Sequence, residues 1–271
     1  MIKYFYYGVF LLAIHSQHLV AQQLYTLIIP APLNGVMGKN EYVEKLLKHI
    51  FYAQDYELKI VYSSIPSNKI RTAKLLSENR KVDLFWANAR SDASQKLQVI
   101  KNPIYKGYIG FRLLLINKNN LVEFSKVTSV EQLANYTAVQ KKDWLDYNIL
   151  LSNGLDIEAD MTFPAMFKAV EQELADYFPR SVLEIERELV EFGSTNLTVE
   201  PNLLIRYPTA SYFYINKQDK DLIDIIQNGF DKIINNGVFD NHFDSYFGRT
   251  IHKHQLGKRL VLELNNPYFS Q

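Results

Sequence analysis

The chain of 271 residues contains no cysteine, which removes disulfides, thiol nucleophiles and cysteine-based metal sites together. It has no polybasic run, and its arginines are scattered, so the electrostatic footprint of a nucleic-acid partner is missing. There is no Gly-x-Ser-x-Gly elbow, no His-Glu-x-x-His zinc motif and no phosphate loop ending in Gly-Lys-Ser/Thr. Internal repeats and low-complexity segments are also lacking. These absences point away from an enzyme and predict no resident cofactor or metal. The pair His252 and His254 stands in a basic tail without neighbouring carboxylates, and is read as solvated.

What is present begins with a leader. Met1-Ile2-Lys3, the apolar run from Tyr4 to Ile14 and the small-residue junction at Leu19-Val20-Ala21 have the three parts of a secretory signal peptide. The apolar run is too short to span a bilayer comfortably, so cleavage after Ala21 and export to the periplasm are expected. Without a cysteine at the junction there is no lipoprotein anchor. Lys3 is the one charged residue in the leader, and its removal takes the formal net charge from +1 to 0. About 250 mature residues can bury a sizeable core in one large or two smaller domains without disulfides. The 18 tyrosines and 16 phenylalanines suit such a core, and also a ligand cleft lined with amphipathic rings.

The order of elements predicts an α/β protein. Leu24–Ile29, Glu57–Tyr62 and Val82–Trp86 read as strands. The helix between the first two is capped by Asn40, and the helix after the second is marked by Ile70, Ala73 and Leu76. This alternation predicts a parallel sheet with crossover helices. Tyr105 to Asn117 reads as one long strand passing between lobes. A second series follows, with strands near Ala138–Gln140, Ala175–Phe178, Leu197–Val199, Leu203–Tyr207 and Tyr212–Ile215, and helices near Ser129–Ala134, Trp144–Asn153, Phe163–Glu173 and Ser181–Phe192. Leu222, Ile225, Ile226, Phe230, Ile233 and Ile234 repeat at helical spacing, and Gly237 ends that helix. A short helix over Phe239–Phe247 and a strand at Leu260–Leu264 complete the reading.

Candidate chemistry gathers at strand ends. The stretch from Ala175 to Ile185 reads as a strand that stops at Pro179, presents Arg180 and turns into a helix, a geometry that suits an anion or polar ligand. Arg180 is either a ligand clamp or the partner of Glu184 in a surface salt bridge. Glu184, Glu186, Glu188 and Glu191 are read as the solvent face of that helix. Trp86 ends the third strand, while Gln140, Trp144 and Asp146 follow a strand of the second series. If the two series form facing lobes, these positions converge on one cleft, with rings to stack on a ligand and charges to orient it; the alternative places both tryptophans in the core. Asn135-Tyr136-Thr137 and Asn196-Leu197-Thr198 match the glycosylation sequon, a weak signal.

Val82-Asp83-Leu84-Phe85, Asn102-Pro103-Ile104-Tyr105 and Val130-Glu131-Gln132-Leu133-Ala134, together with the final helix followed by Gly237-Val238-Phe239-Asp240, resemble the family 3 extracellular solute-binding proteins, the periplasmic receptors of amino-acid-type ABC importers. More narrowly, Gln140 with Trp144-Leu145-Asp146, then Asp176-Tyr177-Phe178-Pro179-Arg180-Ser181, then Tyr207-Pro208, resemble a divergent branch described as substrate-binding periplasmic proteins. Where family members carry an arginine for the ligand carboxylate, this chain reads Arg90-Ser91-Asp92-Ala93-Ser94, and the family's acidic residue falls near Arg180 or Ser181. The resemblance implies a two-lobed periplasmic binding protein type II fold with a signal peptide over 1–21. It also implies a first lobe over 22–110, a second over 111–210, and a return to the first over 211–271. It further implies a monomer that closes on a small-molecule ligand and presents it to an ABC permease. From the strand-end positions, Arg180 is the expected charged clamp, Trp144 and Trp86 the stacking walls and Asp146 a counter-charge or acceptor, with Arg112 and Tyr207 near the crossings as further candidates. The alternative is a sensory protein of the same fold that signals to a membrane partner without transport.

Overall fold

The computed structural model describes residues 22–31, 40–65, 69–79, 81–88 and 95–269. The leader and the Arg90–Ser94 stretch lie outside the described residues. Among the described residues no helix is long and apolar enough to cross a membrane.

The chain opens with β1 (Gln23–Ile29), α1 (Glu41–Tyr52), β2 (Tyr56–Tyr62), α2 (Lys69–Ser77), β3 (Leu84–Asn88) and β4 (Leu97–Ile100). β1 and β2 are parallel, in register from Gln23 opposite Tyr56 to Ile29 opposite Tyr62. β3 lies alongside β1, where the Asp83 N–H donates to the Ile28 carbonyl (2.9 Å) and the Ile28 N–H to the Asp83 carboxylate (2.7 Å). α1 buries Val43, Leu46, Leu47, Ile50 and Phe51 at helical spacing against these strands. Asn40 occupies its N-cap position, but its side chain makes no capping bond. Ile70, expected on the apolar face of α2, is 80% exposed, so Ala73 and Leu76 carry that contact.

The next elements are β5 (Phe111–Asn117), α3 (Leu121–Phe124), α4 (Val130–Leu133), β6 (Thr137–Val139), α5 (Leu145–Ser152), β7 (Asp156–Glu158), α6 (Phe163–Glu171), β8 (Tyr177–Ser181), α7 (Ile185–Phe192), β9 (Leu197–Val199) and β10 (Leu203–Arg206). The long strand expected from Tyr105 is shorter. Lys106 (φ 51°) and Gly107 (φ 79°) turn the backbone, and Tyr108–Gly110 forms one 3₁₀ turn before β5 begins. Consecutive residues in the left-handed region cannot continue a β ladder.

β8 runs through Pro179 instead of stopping at it, and α7 starts at Ile185, after a turn. Pro179 is tolerated in the strand because of which way it faces. The Val182 N–H donates across to Phe111, so residues of Val182's parity address β5 and Pro179 addresses the opposite neighbour, β6. The β6 ladder reaches β8 only at Ala138–Tyr177, leaving no bond there for proline to break.

The chain then returns through β11 (Ser211–Asn216), which is antiparallel to both β3 and β4, followed by α8 (Lys220–Asn235), α9 (Val238–Lys253) and β12 (Leu260–Glu263). α8 buries Leu222, Ile226, Phe230 and Ile233, while Ile234 is exposed. Gly237, at φ 78°, separates α8 from α9 in a conformation that costs glycine little. α9 is longer than the expected short helix: its 16 residues run on to Lys253. β12, expected to return with β11 to the first series of strands, does not join β1, β2, β3, β4 or β11. It pairs in parallel with β10 at one edge of the larger sheet, whose order is β12-β10-β5-β8-β6-β7, with β9 also on β5.

Two cores flank that larger sheet. Leu114, Ile116, Ala138, Tyr177, Leu203 and Ile205 face one of them; Leu113, Leu115, Val139, Phe178 and Leu204 face the other. The alternation follows strand period two. A separate core joins α1, α8 and the start of α9 to the β1 and β3 region.

Candidate functional site

The strand directions of the larger sheet bring one set of ends together. β8 and β6 are parallel and finish on the same side. β5 is antiparallel to both β8 and β10, so its first residues lie beside their last. Arg112 therefore sits opposite Ser181 on one side and Ile205 on the other. Gln140 follows the end of β6, Arg180 lies near the end of β8, and Tyr207 follows β10. Five of the six expected site residues stand on this edge or at the start of α5 beside it, with Trp144 at the N-cap and Asp146 in the first turn. Trp86 stands on another sheet, on β3 opposite Phe213, half-buried against the first core.

Strand alternation divides the edge into two networks. On the face shared with Leu114, Ala138 and Ile205 lie Arg112, Gln140 and Tyr207. The Arg112 guanidinium pairs with Asp146 on α5, the Tyr207 hydroxyl donates to the same carboxylate, and the Arg112 Cζ lies 5.5 Å from the centre of the Tyr207 ring. Arg112, Asp146 and Tyr207 are all buried. Burial opposes the charge of Arg112, but Asp146 and Tyr207 more than offset it, and the guanidinium titrates above its ordinary value. Burial pushes the Tyr207 phenol well above its usual range; the Arg112 charge pulls it back and Asp146 reinforces the rise.

On the opposite face, Arg180 donates from Nε to Glu188 Oε2 (2.7 Å) and from Nη2 to Glu188 Oε1 (2.5 Å), with a longer contact to Glu184 (3.2 Å). The guanidinium is packed between rings, its Cζ 4.9 Å from the Trp144 ring centre, 5.0 Å from Phe178 and 5.2 Å from Phe163. Arg180 and Glu188 are only 3% and 5% exposed. Glu188 is thus not part of a solvent face, and Arg180 pairs mainly with it instead of closing a surface bridge. Burial works against the Arg180 charge, and Glu184 and Glu188 outweigh it. Breaking one partner out of a buried pair of this kind costs about 3–5 kcal/mol.

Three buried polar atoms on or beside the first network have no partner: Arg112 Nε, Gln140 Nε2 and Thr209 Oγ1. The Gln140 amide is oriented by its oxygen, which accepts the Lys141 N–H (3.1 Å), and its buried nitrogen is left without a partner. Sequence reading placed Gln140 near the site but gave no signal for Thr209, which lies in the returning segment after β10.

That returning segment lies against the outgoing one. The Tyr207 N–H donates to the Gly110 carbonyl (3.3 Å) and the Ile104 N–H to the Ser211 carbonyl (3.0 Å). A Cβ on Gly110 would fall 2.2 Å from the Tyr207 carbonyl oxygen, so glycine is required by backbone approach. A third connection runs through α9. Phe239 and Phe243 at its start are buried in the first core, Ile251 near its end touches both the first core and a core of the larger sheet, and the chain then enters β12. At that end Glu186 of α7 accepts from Lys253 Nζ (2.6 Å) and pairs with His254 Nε2 (2.7 Å). His254 is therefore buried and bonded, contrary to the solvated reading, while His252 is exposed. Among the described residues no three His, Asp or Glu side chains gather as a metal site would require.

Neither a protein-family model nor a curated protein sequence matches the chain. Solved structures do. The probable amino-acid ABC transporter extracellular-binding protein ytmK from Bacillus subtilis matches with a TM-score of 0.63 at 16% identity, over 83% of this chain and 99% of that one. An ancestral arginine-binding protein bound to arginine matches with 0.56 at 11% identity, over 84% and 99%. The GluR0 ligand-binding core in complex with L-glutamate matches with 0.58 at 12% identity, over 84% and 98%. The architecture is common to all three. The chain has the two-lobed α/β fold of the type II periplasmic binding proteins.

Proposed function

We propose that this is an exported, non-catalytic solute-binding protein that captures a small polar solute between two lobes and presents it to a membrane ABC importer. The first lobe comprises 22–110 with the return from 211 through most of α9; the second comprises 111–210 with β12 added at its edge. The observation that carries the reading is the gathering of Arg112, Gln140, Asp146, Arg180 and Tyr207 at one sheet edge, directly beside the paired crossings at Gly110 and Tyr207. In open α/β sheets ligands collect beyond such strand ends. A solute touching both lobes stabilises the closed arrangement by its differential contacts. Trp144 would wall the second-lobe side and Trp86 the first-lobe side, while the buried ion pairs hold the strand ends in place. The amino-acid-binding proteins of similar fold support a binding role over catalysis.

Thermal unfolding of the mature chain against amino acids, small peptides, organic acids, polyamines and sugars tests this. A solute at a hundred times its dissociation constant adds about 2.7 kcal/mol of stability, which raises the melting temperature by a few degrees. A silent panel, or turnover of a bound solute, would contradict the proposal.

A further inference from the structure

The geometry points to an uncharged solute rich in hydrogen-bond-accepting oxygens as the ligand of this cleft. The inference rests on the cleft reading above and deepens it.

The site's charges are committed to one another. Arg112 is matched by Asp146, which also accepts from Tyr207, and Arg180 is held by both oxygens of Glu188. A ligand carboxylate taking Arg180 would leave Glu188, itself buried, without its counter-charge. A ligand ammonium taking Asp146 would strip Arg112 in the same way. An uncharged solute disturbs neither pair.

The unmatched groups are mainly donors. Arg112 Nε and Gln140 Nε2 have no partner, and the Thr209 hydroxyl adds a third group that can donate. Arg112 and Gln140 point to the same face of the sheet at the same edge by strand alternation, and Thr209 lies two residues beyond Tyr207, which shares that face. Buried polar groups are nearly always bonded in a native protein, so these open groups along one end of the sheet call for acceptors brought from outside. Hydroxyl, ether or amide oxygens supply acceptors without a charge.

The test compares size-matched solutes by thermal unfolding and calorimetric titration of the mature chain. One set is uncharged (glucose, glycerol, lactamide, acetamide) and the other charged (lactate, glutamate, lysine, putrescine). The expected result is a shift of several degrees with an uncharged solute, at an affinity that changes less than twofold between 0.02 and 0.5 M NaCl. Gln140→Leu should weaken that solute tenfold or more while lowering the ligand-free melting temperature by no more than a few degrees, since the nitrogen has no partner to lose and only the bond from the Lys141 N–H to the side-chain oxygen goes. Thr209→Val is the second variant if Gln140→Leu fails to fold, with a weakening of the same sign. Capture of a charged solute with steep salt dependence overturns the inference and leaves the cleft reading standing. Uncharged binding that both variants leave unchanged overturns the inference alone, whereas silence from both sets overturns the cleft reading with it.

Discussion

Arg180 on β8 and Glu188 on α7 face each other through two bonds, 2.7 Å from Nε and 2.5 Å from Nη2, with both side chains buried. Glu188→Gln leaves a buried guanidinium without its full counter-charge, and should destabilise the fold by about 3–5 kcal/mol in urea unfolding. Replacing both partners, as in Arg180→Met with Glu188→Leu, should recover most of that loss. A double variant as unstable as the single one would show that the packing around the pair, and not its charge balance, matters.

The Tyr207 hydroxyl shares Asp146 with Arg112. Tyr207→Phe removes one donor from a buried carboxylate while keeping the ring beside the guanidinium, and a loss of about 1–2 kcal/mol is expected by chemical denaturation. Asp146→Asn should cost more, because it leaves Arg112 buried and unmatched.

Gly110→Ala places a methyl group 2.2 Å from the Tyr207 carbonyl, a backbone atom that cannot turn aside. The expected destabilisation is about 1–3 kcal/mol, with the two crossings forced apart. Unfolding midpoints measure the loss, and an unchanged midpoint would mean that the crossings separate without penalty.

The Glu186, Lys253 and His254 contacts make stability depend on pH. Burial works against the Glu186 charge, but its bonds to Lys253 and His254 win and hold the carboxyl below its ordinary value. Burial lowers His254 as well, with the Glu186 bond opposing. Both groups bind protons more readily when unfolded. The histidine contribution is complete above its unfolded value of about 6.5 and is lost as pH falls through its lower folded value; the carboxyl contribution fades likewise at more acid pH. Melting temperature should therefore fall from pH 7 toward pH 4, and more steeply than in His254→Asn, where the histidine part is absent.

Much of the architecture was legible in the sequence because it follows from periodicity. The apolar spacing of α1 and α8, the glycine after α8 and the strands β1, β2 and β9–β11 all appear where patterning puts them. The misreadings share a physical cause. Tyr105 to Asn117 is nearly all apolar or aromatic, broken by Gly107, Gly110 and Arg112, yet two residues at positive φ divide it, and hydrophobicity does not encode φ. Pro179 reads as a stop, but its strand goes on because the neighbouring ladder has already ended. Glu188 looks like every other glutamate of α7, and only the tertiary position of Arg180 draws it inside. β12 pairs with β10, a partner that no local pattern names.

The chain has two tryptophans, Trp86 on β3 of one proposed lobe and Trp144 at the N-cap of α5 in the other, so ligand capture can be read from both walls of the proposed cleft. The direct measurement is a fluorescence titration of Trp86→Phe and Trp144→Phe with the solute that most raises the melting temperature. The account predicts that each remaining tryptophan responds saturably, with dissociation constants that agree when corrected for any weakening measured by calorimetry in the same variant. A response from one tryptophan alone would contradict capture between the lobes.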